Sequence, residues 1–204
     1  MNQDELNLAL LEAASKNPWE VDSLVARGAR ASRNARETCG RDALMAAIAR
    51  GAEDQAKTIW LAGADSQTID DKGRTAFWWA SKKCMEEMAR LLAPSSDVNQ
   101  RDSSGATPLI ICLVNSDGEE GDLRCLDFLL EISDFDLSAQ RAPSDSPNAQ
   151  CMGSMEIAAR HVCPVARGKM ELAFAKNLAM REALELSNEL PEPLRELSAK
   201  RQIL

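Results

Sequence analysis

The residues best suited to chemistry are a histidine and the cysteines on either side of it. His161 is the single histidine of the chain, and Cys151 and Cys163 flank it in sequence. A thiolate beside an imidazole could act as a nucleophile, and both groups can bind zinc. Structural zinc sites, however, take four ligands at short paired spacings, and none of the six cysteines forms a CxxC pair. We therefore interpret His161 as a structural or surface residue, and a Cys/His hydrolase is the less favoured alternative.

Other features of the sequence argue against catalysis, nucleic-acid binding and membrane insertion. The chain lacks the GxSxG, HExxH, P-loop and GxGxxG motifs. We predict that it is not an enzyme and that it has no catalytic residue, cofactor or metal. The net charge of −8 disfavours nucleic acid as the main partner. The chain starts with polar and acidic residues and has no apolar run of about 18 residues, so we predict a cytoplasmic protein with no membrane association.

A recurring sequence phrase predicts the turns and helices of the fold. The stretch from Asp70 to Ala80 has an acidic residue, a glycine, a threonine and then large apolar side chains. The phrase recurs from Asp102 to Cys112, and a weaker copy runs from Glu37 to Ala47. The key glycines are therefore spaced by 33 and 32 residues: Gly40, Gly73 and Gly105. A fixed period of about 33 residues indicates a repeated turn and helical hairpin.

These segments resemble ankyrin repeats. The stretches 63–65 (Gly-Ala-Asp) and 97–99 (Asp-Val-Asn) match the phrases with which loops of that family begin. The resemblance covers roughly residues 1–188 and implies an all-α ankyrin-repeat solenoid of about five helix pairs with an extended C-terminal capping helix. We predict a domain over residues 1–190 and a short helical tail over 191–204. Within the domain we expect an N-terminal capping pair (1–29), core repeats (37–140) and a degenerate last repeat with a cap (141–190).

Hydrophobic spacing and turn residues give the expected helices. The first three pairs are predicted at Asp4 to Ser15 with Pro18 to Arg27, Asp42 to Arg50 with Glu53 to Leu61, and Thr75 to Lys83 with Met85 to Leu92. An acidic insertion over residues 116–120 precedes a helix that starts near Asp122, and a turn at Cys163 and Pro164 precedes a last helix from Lys169 to about Asn188. Cys84 and Cys112 are interpreted as reduced core residues at helix positions.

Positive charge gathers where the resemblance implies partner contacts, at the loop tips and on the inner helices. Ten such positions in the second and third units carry six positive charges against one negative charge, in a chain whose total is −8. We predict a cationic groove for an acidic partner surface. The alternative is an ordinary solvated face. The predicted partner-binding residues are Arg41, Arg50, Lys72, Arg74, Trp78, Lys82, Lys83, Arg101 and Arg160.

Two adjacent tryptophans lie on the predicted inner helix of the third unit. Neighbouring side chains on a helix point about 100° apart, so we expect them to differ in burial. The repeat pattern places Trp79 in the core and Trp78 on a partly exposed shoulder, where it could anchor a partner. Trp60 is assigned to packing between repeats, and Trp19 is left open.

The resemblance implies a protein-binding module that acts by occupying a partner's surface. The favoured form is a small cytoplasmic inhibitor, such as a bacterial toxin-immunity protein, which is monomeric when free. The alternatives are a host-directed effector and an adaptor scaffold. Binding of RNA or DNA in the cationic groove would be revealed by its salt dependence.

Overall fold

The computed structural model describes residues 2–32, 34–115, 120–132, 140–141, 152–153 and 164–189. Nine α-helices lie in this part of the chain, and most form consecutive pairs. Short 3-10 turns at Pro18–Glu20 and Ala93–Ser95 precede α2 and follow α6. The helices are α1 (Gln3–Lys16), α2 (Val21–Ala26), α3 (Ala43–Arg50), α4 (Glu53–Leu61), α5 (Ala76–Lys82), α6 (Glu86–Leu92), α7 (Pro108–Asn115), α8 (Glu120–Glu131) and α9 (Pro164–Glu189).

The recurring phrase starts three of the inner helices, α3, α5 and α7, at the same point of the repeat. Asp42 accepts a hydrogen bond from the N–H of Met45 at 2.9 Å, and Thr75 accepts one from the N–H of Trp78 at 3.2 Å. Thr107 makes the equivalent bond in the next repeat. These side chains satisfy an N–H group that the first turn of a helix leaves unpaired. The three caps recur at the repeat spacing, so they set the register of α3, α5 and α7.

The core runs along the stack between the inner and outer helices. Each inner helix packs against the next one, from α1 to α3, α5 and α7, and each also packs against its own outer helix. The largest fully buried side chains come from both layers: Phe77, Leu10, Leu44, Met45, Ile48, Ile59, Met88, Leu92, Leu109, Ile110, Leu113 and Leu126. The predicted all-α solenoid of stacked helix pairs is confirmed.

The turn between the paired helices corrects the expectation for Cys84. Gly51 ends α3 with φ +83°, the left-handed conformation that suits a residue without a Cβ atom. Cys84 follows α5 at the equivalent place and has φ +52°. It therefore lies in a turn, and the prediction that it occupies a helix position was wrong. Cys112 does lie on a helix and is fully buried.

The loops that precede the inner helices are linked to each other. The N–H of Asp71 donates to the carbonyl oxygen of Cys39 at 3.2 Å, and the N–H of Ser103 donates to that of Lys72 at 2.8 Å. Each loop also closes on itself, since the N–H of Asp70 donates to the carbonyl oxygen of Arg74. Successive loop tips therefore form a continuous row beside the inner helices.

Replacing Gly40 with alanine is expected to destabilise the protein by about 2 kcal/mol, from left-handed strain and from a backbone clash. Gly40 has φ +78°, and an added Cβ would lie 2.7 Å from the backbone nitrogen of Asp71. Gly73→Ala is the matched control, because Gly73 has φ +72° but its nearest neighbour would be 3.5 Å away. Urea unfolding of both variants measures the difference in stability. Equal losses of stability would contradict a clash between a side chain at position 40 and the backbone of Asp71.

The end of the chain departs from the expected bounds. α8 begins at Glu120, two residues before the predicted start, and the remainder of the predicted acidic insertion lies outside the described residues. α9 begins at Pro164, where a turn was predicted, and contacts α8 through Lys169, whose Nζ lies 2.7 Å from Oδ2 of Asp127. Two short strands, β1 (Gln140–Arg141) and β2 (Met152–Gly153), pair antiparallel. The proposed unit boundaries remain predictions.

Candidate functional site

The loop before α5 is built around the carboxylate of Asp70. Its Oδ1 accepts hydrogen bonds from the N–H groups of Lys72 at 2.9 Å and Arg74 at 3.0 Å. Its Oδ2 accepts from the Arg74 side chain, with Nη2 at 2.7 Å, and from the indole N–H of Trp79 at 3.2 Å. Burial alone would raise the pKa of Asp70, but the hydrogen bonds from Arg74 and Lys72 outweigh it and lower the pKa below its usual value.

Trp78 and Trp79 are both buried, with 2% and 7% of their surfaces exposed. The expectation that Trp78 lies on an exposed shoulder was therefore wrong. Its indole N–H donates to the carbonyl oxygen of Ala106 at 3.2 Å, at the start of the next repeat. The two rings meet edge to face with centroids 5.3 Å apart. Neighbouring side chains can both be buried here because α5 packs between α3 and α7.

Three cationic side chains lie beside the tryptophan rings. The guanidinium carbon atoms of Arg41 and Arg74 are 5.2 Å and 4.3 Å from the ring centroid of Trp79, and Nζ of Lys82 is 5.1 Å from it. These distances fall in the range of favourable cation–π contacts. With the neighbouring Lys72 and Lys83, these side chains make up what we call the cationic cluster.

Two members of the cationic cluster are already neutralised within their own loops. Nη2 of Arg41 lies 2.6 Å from Glu37, just as Arg74 is bound by Asp70. Burial raises the pKa of Glu37, but bonds from Ser15, Cys39 and Arg41 together lower it. The predicted count of six positive charges against one negative charge included neither carboxylate, so the predicted excess of positive charge is too large. The repeated spacing of Glu37 to Arg41 and Asp70 to Arg74 was the signal in the sequence that could have identified both pairs.

Lys82 is the member of the cationic cluster with the least favourable surroundings. Burial and the positive charges of four neighbours, Arg74, Lys83, Lys72 and Arg41, lower its pKa. Across the described ranges of the chain, no carboxylate lies within ion-pair distance of Lys82. An incoming anion would therefore be attracted by Lys82 together with Lys72 and Lys83, and it would not have to displace a carboxylate from Lys82.

The predicted contact residues that do not touch the tryptophan rings differ in their surroundings. Lys72 and Lys83 are exposed, which suits a binding role. Arg50 is exposed too, but its guanidinium reaches the carbonyl oxygen of Ala14 at 3.3 Å and so closes the end of α1. Arg101 is exposed in the loop before α7. Arg160 lies outside the described residues.

The sequence candidates for a metal or catalytic site are not among the residues that the structure describes. Cys151, His161 and Cys163 lie outside the described residues, so the hydrolase alternative is untested. In the part of the chain that is described, no three His, Cys, Asp or Glu residues are grouped as metal ligands. Of the other tryptophans, Trp60 is half-buried and packs against the core, whereas Trp19 is 77% exposed.

The comparison with known protein families gives one result. A family model described as ankyrin repeats matches the chain in three copies, over residues 10–102 and 54–141. These ranges span the loops and inner helices that carry the cationic cluster. The search of curated proteins found no match. Among the described residues, there is also no helix of the length and apolar character needed to cross a membrane.

Proposed function

Because this chain belongs to the ankyrin-repeat family, whose members are typically non-enzymatic scaffolds that bind other proteins, we propose that it occupies an acidic surface of a partner protein. The partner would contact the loop tips and inner-helix residues around the cationic cluster. Stacked repeats offer an extended surface for such a contact. The observation that carries the proposal is the ammonium group of Lys82, which lies among four cations without a carboxylate partner in the described part of the chain.

The geometry favours a partner with clustered carboxylates. Lys72 and Lys83 are exposed, and Lys82 is half-buried beside the indole rings. A carboxylate placed there would relieve repulsion among like charges that the free protein has to tolerate. Such complementarity raises association rates and selects against basic surfaces. The indole rings would hold the cations in place through cation–π contacts. They would take no direct part in binding, because both rings are buried.

We propose further that the chain is an inhibitor, such as an immunity protein that neutralises a toxin, and that it is monomeric when free. Support comes from the fold, since stacked repeats cover a partner's surface and offer no enclosed pocket for chemistry of their own. Loss of the partner's activity on binding would support the inhibitor. Unchanged activity in the complex would favour an adaptor or an effector.

Affinity capture tests the proposed function. The immobilised chain is incubated with lysate of the cells that produce it, washed, and eluted with increasing salt. We expect one acidic protein to elute as ionic strength rises, because surface charges are screened over about 10 Å at 0.1 M salt. The complex is then rebuilt from two purified proteins, and its affinity is measured. The proposal would be contradicted if only nucleic acid were captured. It would also be contradicted if the affinity of the rebuilt complex did not change with salt concentration.

A further inference from the structure

Three thiols form a cluster where the third repeat meets the fourth. Sγ of Cys84 lies 4.0 Å from Sγ of Cys112, and Cys112 also interacts with Cys125. Cys112 and Cys125 are fully buried, whereas Cys84 is partly exposed. Neither of the two buried thiols can meet a solute directly, so any reagent must reach the cluster through Cys84.

Cys84 also has an unusual backbone. Among the described residues, it is the only one other than glycine with a positive φ, and Gly51 holds the equivalent turn of the preceding repeat. A residue with a Cβ atom costs about 1–2 kcal/mol in this conformation. Cys84 is therefore both the residue with the unfavourable backbone conformation and the accessible member of the thiol cluster. Its thiol is in direct contact with the buried thiol of Cys112.

We propose that Cys84 and Cys112 are a modification site, at which hydrogen peroxide oxidises the pair to a disulfide. The bond would join the turn between α5 and α6 to helix α7. It would close a loop between residues 28 positions apart and fix the third repeat to the fourth. The inference does not depend on the proposed partner.

The oxidation of the two thiols to a disulfide takes place in two steps. The Cys84 thiolate attacks one peroxide oxygen, the O–O bond breaks, and a sulfenic acid forms while the second oxygen leaves as water after taking up a proton. The sulfur of Cys112 then displaces that hydroxyl group, the S–S bond forms, and a second water leaves with the Cys112 proton. Two thiols and one peroxide thus give one disulfide and two waters, with two electrons passing from sulfur to oxygen.

The burial of Cys112 and its contact with Cys84 make it the second sulfur to react. Hydrogen bonds with Cys125 and Cys84, together with burial, hold the pKa of Cys112 well above its usual value. This thiol therefore stays protonated and does not react on its own. Its contact with Cys84 places it beside the sulfur that is oxidised first. We expect attack by Cys112 to be the slower step.

The test is to map the disulfide after peroxide treatment of the full chain. Trypsin cuts after Lys83, Arg90, Arg101 and Arg124, so the three cysteines fall in separate peptides. We expect a linked pair of the peptides 84–90 and 102–124, which dithiothreitol separates. We also expect the melting temperature to rise by about 5–10 °C on oxidation and to return on reduction.

Two variants sharpen the test. Cys84→Gly keeps the left-handed turn, as Gly51 does, and should abolish both the link and the rise in melting temperature. Cys39→Ser removes a half-buried thiol elsewhere and should change neither. The inference is overturned if Cys84 links to any other cysteine, if Cys112 links only to Cys125, or if peroxide produces no link in the wild-type chain.

Discussion

Replacing Asp70 with asparagine is expected to lower the free energy of unfolding by about 3–5 kcal/mol, the usual cost of leaving a buried charge unpaired. The Asp70 side chain is fully buried, and the Arg74 side chain is 12% exposed. Asparagine retains an acceptor for the backbone N–H groups of the loop, but it cannot neutralise Arg74. The uncompensated guanidinium would also lie beside Lys82, which already repels it.

Asp102→Asn is the matched control for this experiment. Asp102 accepts the same pair of backbone hydrogen bonds in the next loop, from Ser104 and Ala106, both at 2.9 Å. The residue equivalent to Arg74 there is Ala106, so this position of the loop supplies no guanidinium for the carboxylate. We expect a loss of about 1 kcal/mol, the scale of a hydrogen bond. Equal losses in urea unfolding of the two variants would contradict the importance of the ion pair.

The same ion pair predicts a pH dependence. The pKa of Asp70 is lower in the folded chain than its usual value, so the folded state releases this proton more readily. Its stabilisation is therefore complete above about pH 4 and is lost as the pH falls through the folded value. We expect the stability gap between the wild type and Asp70→Asn to narrow in acid. A gap that stays constant to about pH 2 would contradict the lowered pKa.

The double change Lys72→Glu with Lys82→Glu is expected to weaken binding to the captured partner by about 100-fold, with no loss of stability. Two attractive charges become repulsive towards an acidic surface. In the free protein, the carboxylate introduced at position 82 would instead lie near Arg41 and Arg74 and relieve their mutual repulsion. Isothermal titration calorimetry measures the affinity, and thermal unfolding measures the stability. Arg74 is unsuitable for this test because its loss would break the pair with Asp70.

A single lysine-to-glutamate change elsewhere controls for general electrostatics. Lys176 is exposed on α9, and Lys176→Glu changes the net charge by the same amount per residue. We expect at most a threefold effect on affinity from this variant, roughly the scale of a screened charge at a distance. If it weakens binding as much as the double change at Lys72 and Lys82 does, the long-range charge and not the cationic cluster would explain the affinity.

The sequence predicted the repeat because the repeat depends on local signals. Threonine or aspartate caps, glycines with positive φ and apolar runs recur at fixed spacing, and each acts within a few residues. The bounds of the first six helices therefore agree with expectation to within a few residues. Cys84 escaped the prediction because nothing in its type indicates a left-handed turn; only alignment with Gly51 would have shown it.

The candidate site was predicted less well, because it depends on contacts across the repeat. The indole N–H of Trp78 can be buried because it donates to the carbonyl oxygen of Ala106 in the next repeat. A helical wheel of α5 alone cannot reveal this contact. The ion pairs of Arg41 with Glu37 and of Arg74 with Asp70 depend on how each loop folds back on itself. The number of charges can be read from the sequence, but their partners cannot. Those partners leave Lys82, and not Arg74, available to an incoming anion.

Hydrogen exchange of the chain with and without the captured partner would locate the contact surface. We expect protection of the loop tip at residues 70–74, of α5 and of the turn that follows it. Little change is expected on α4 and α6, which form the outer layer. Protection confined to those outer helices, with the loop tip and α5 unchanged, would contradict binding at the cationic cluster.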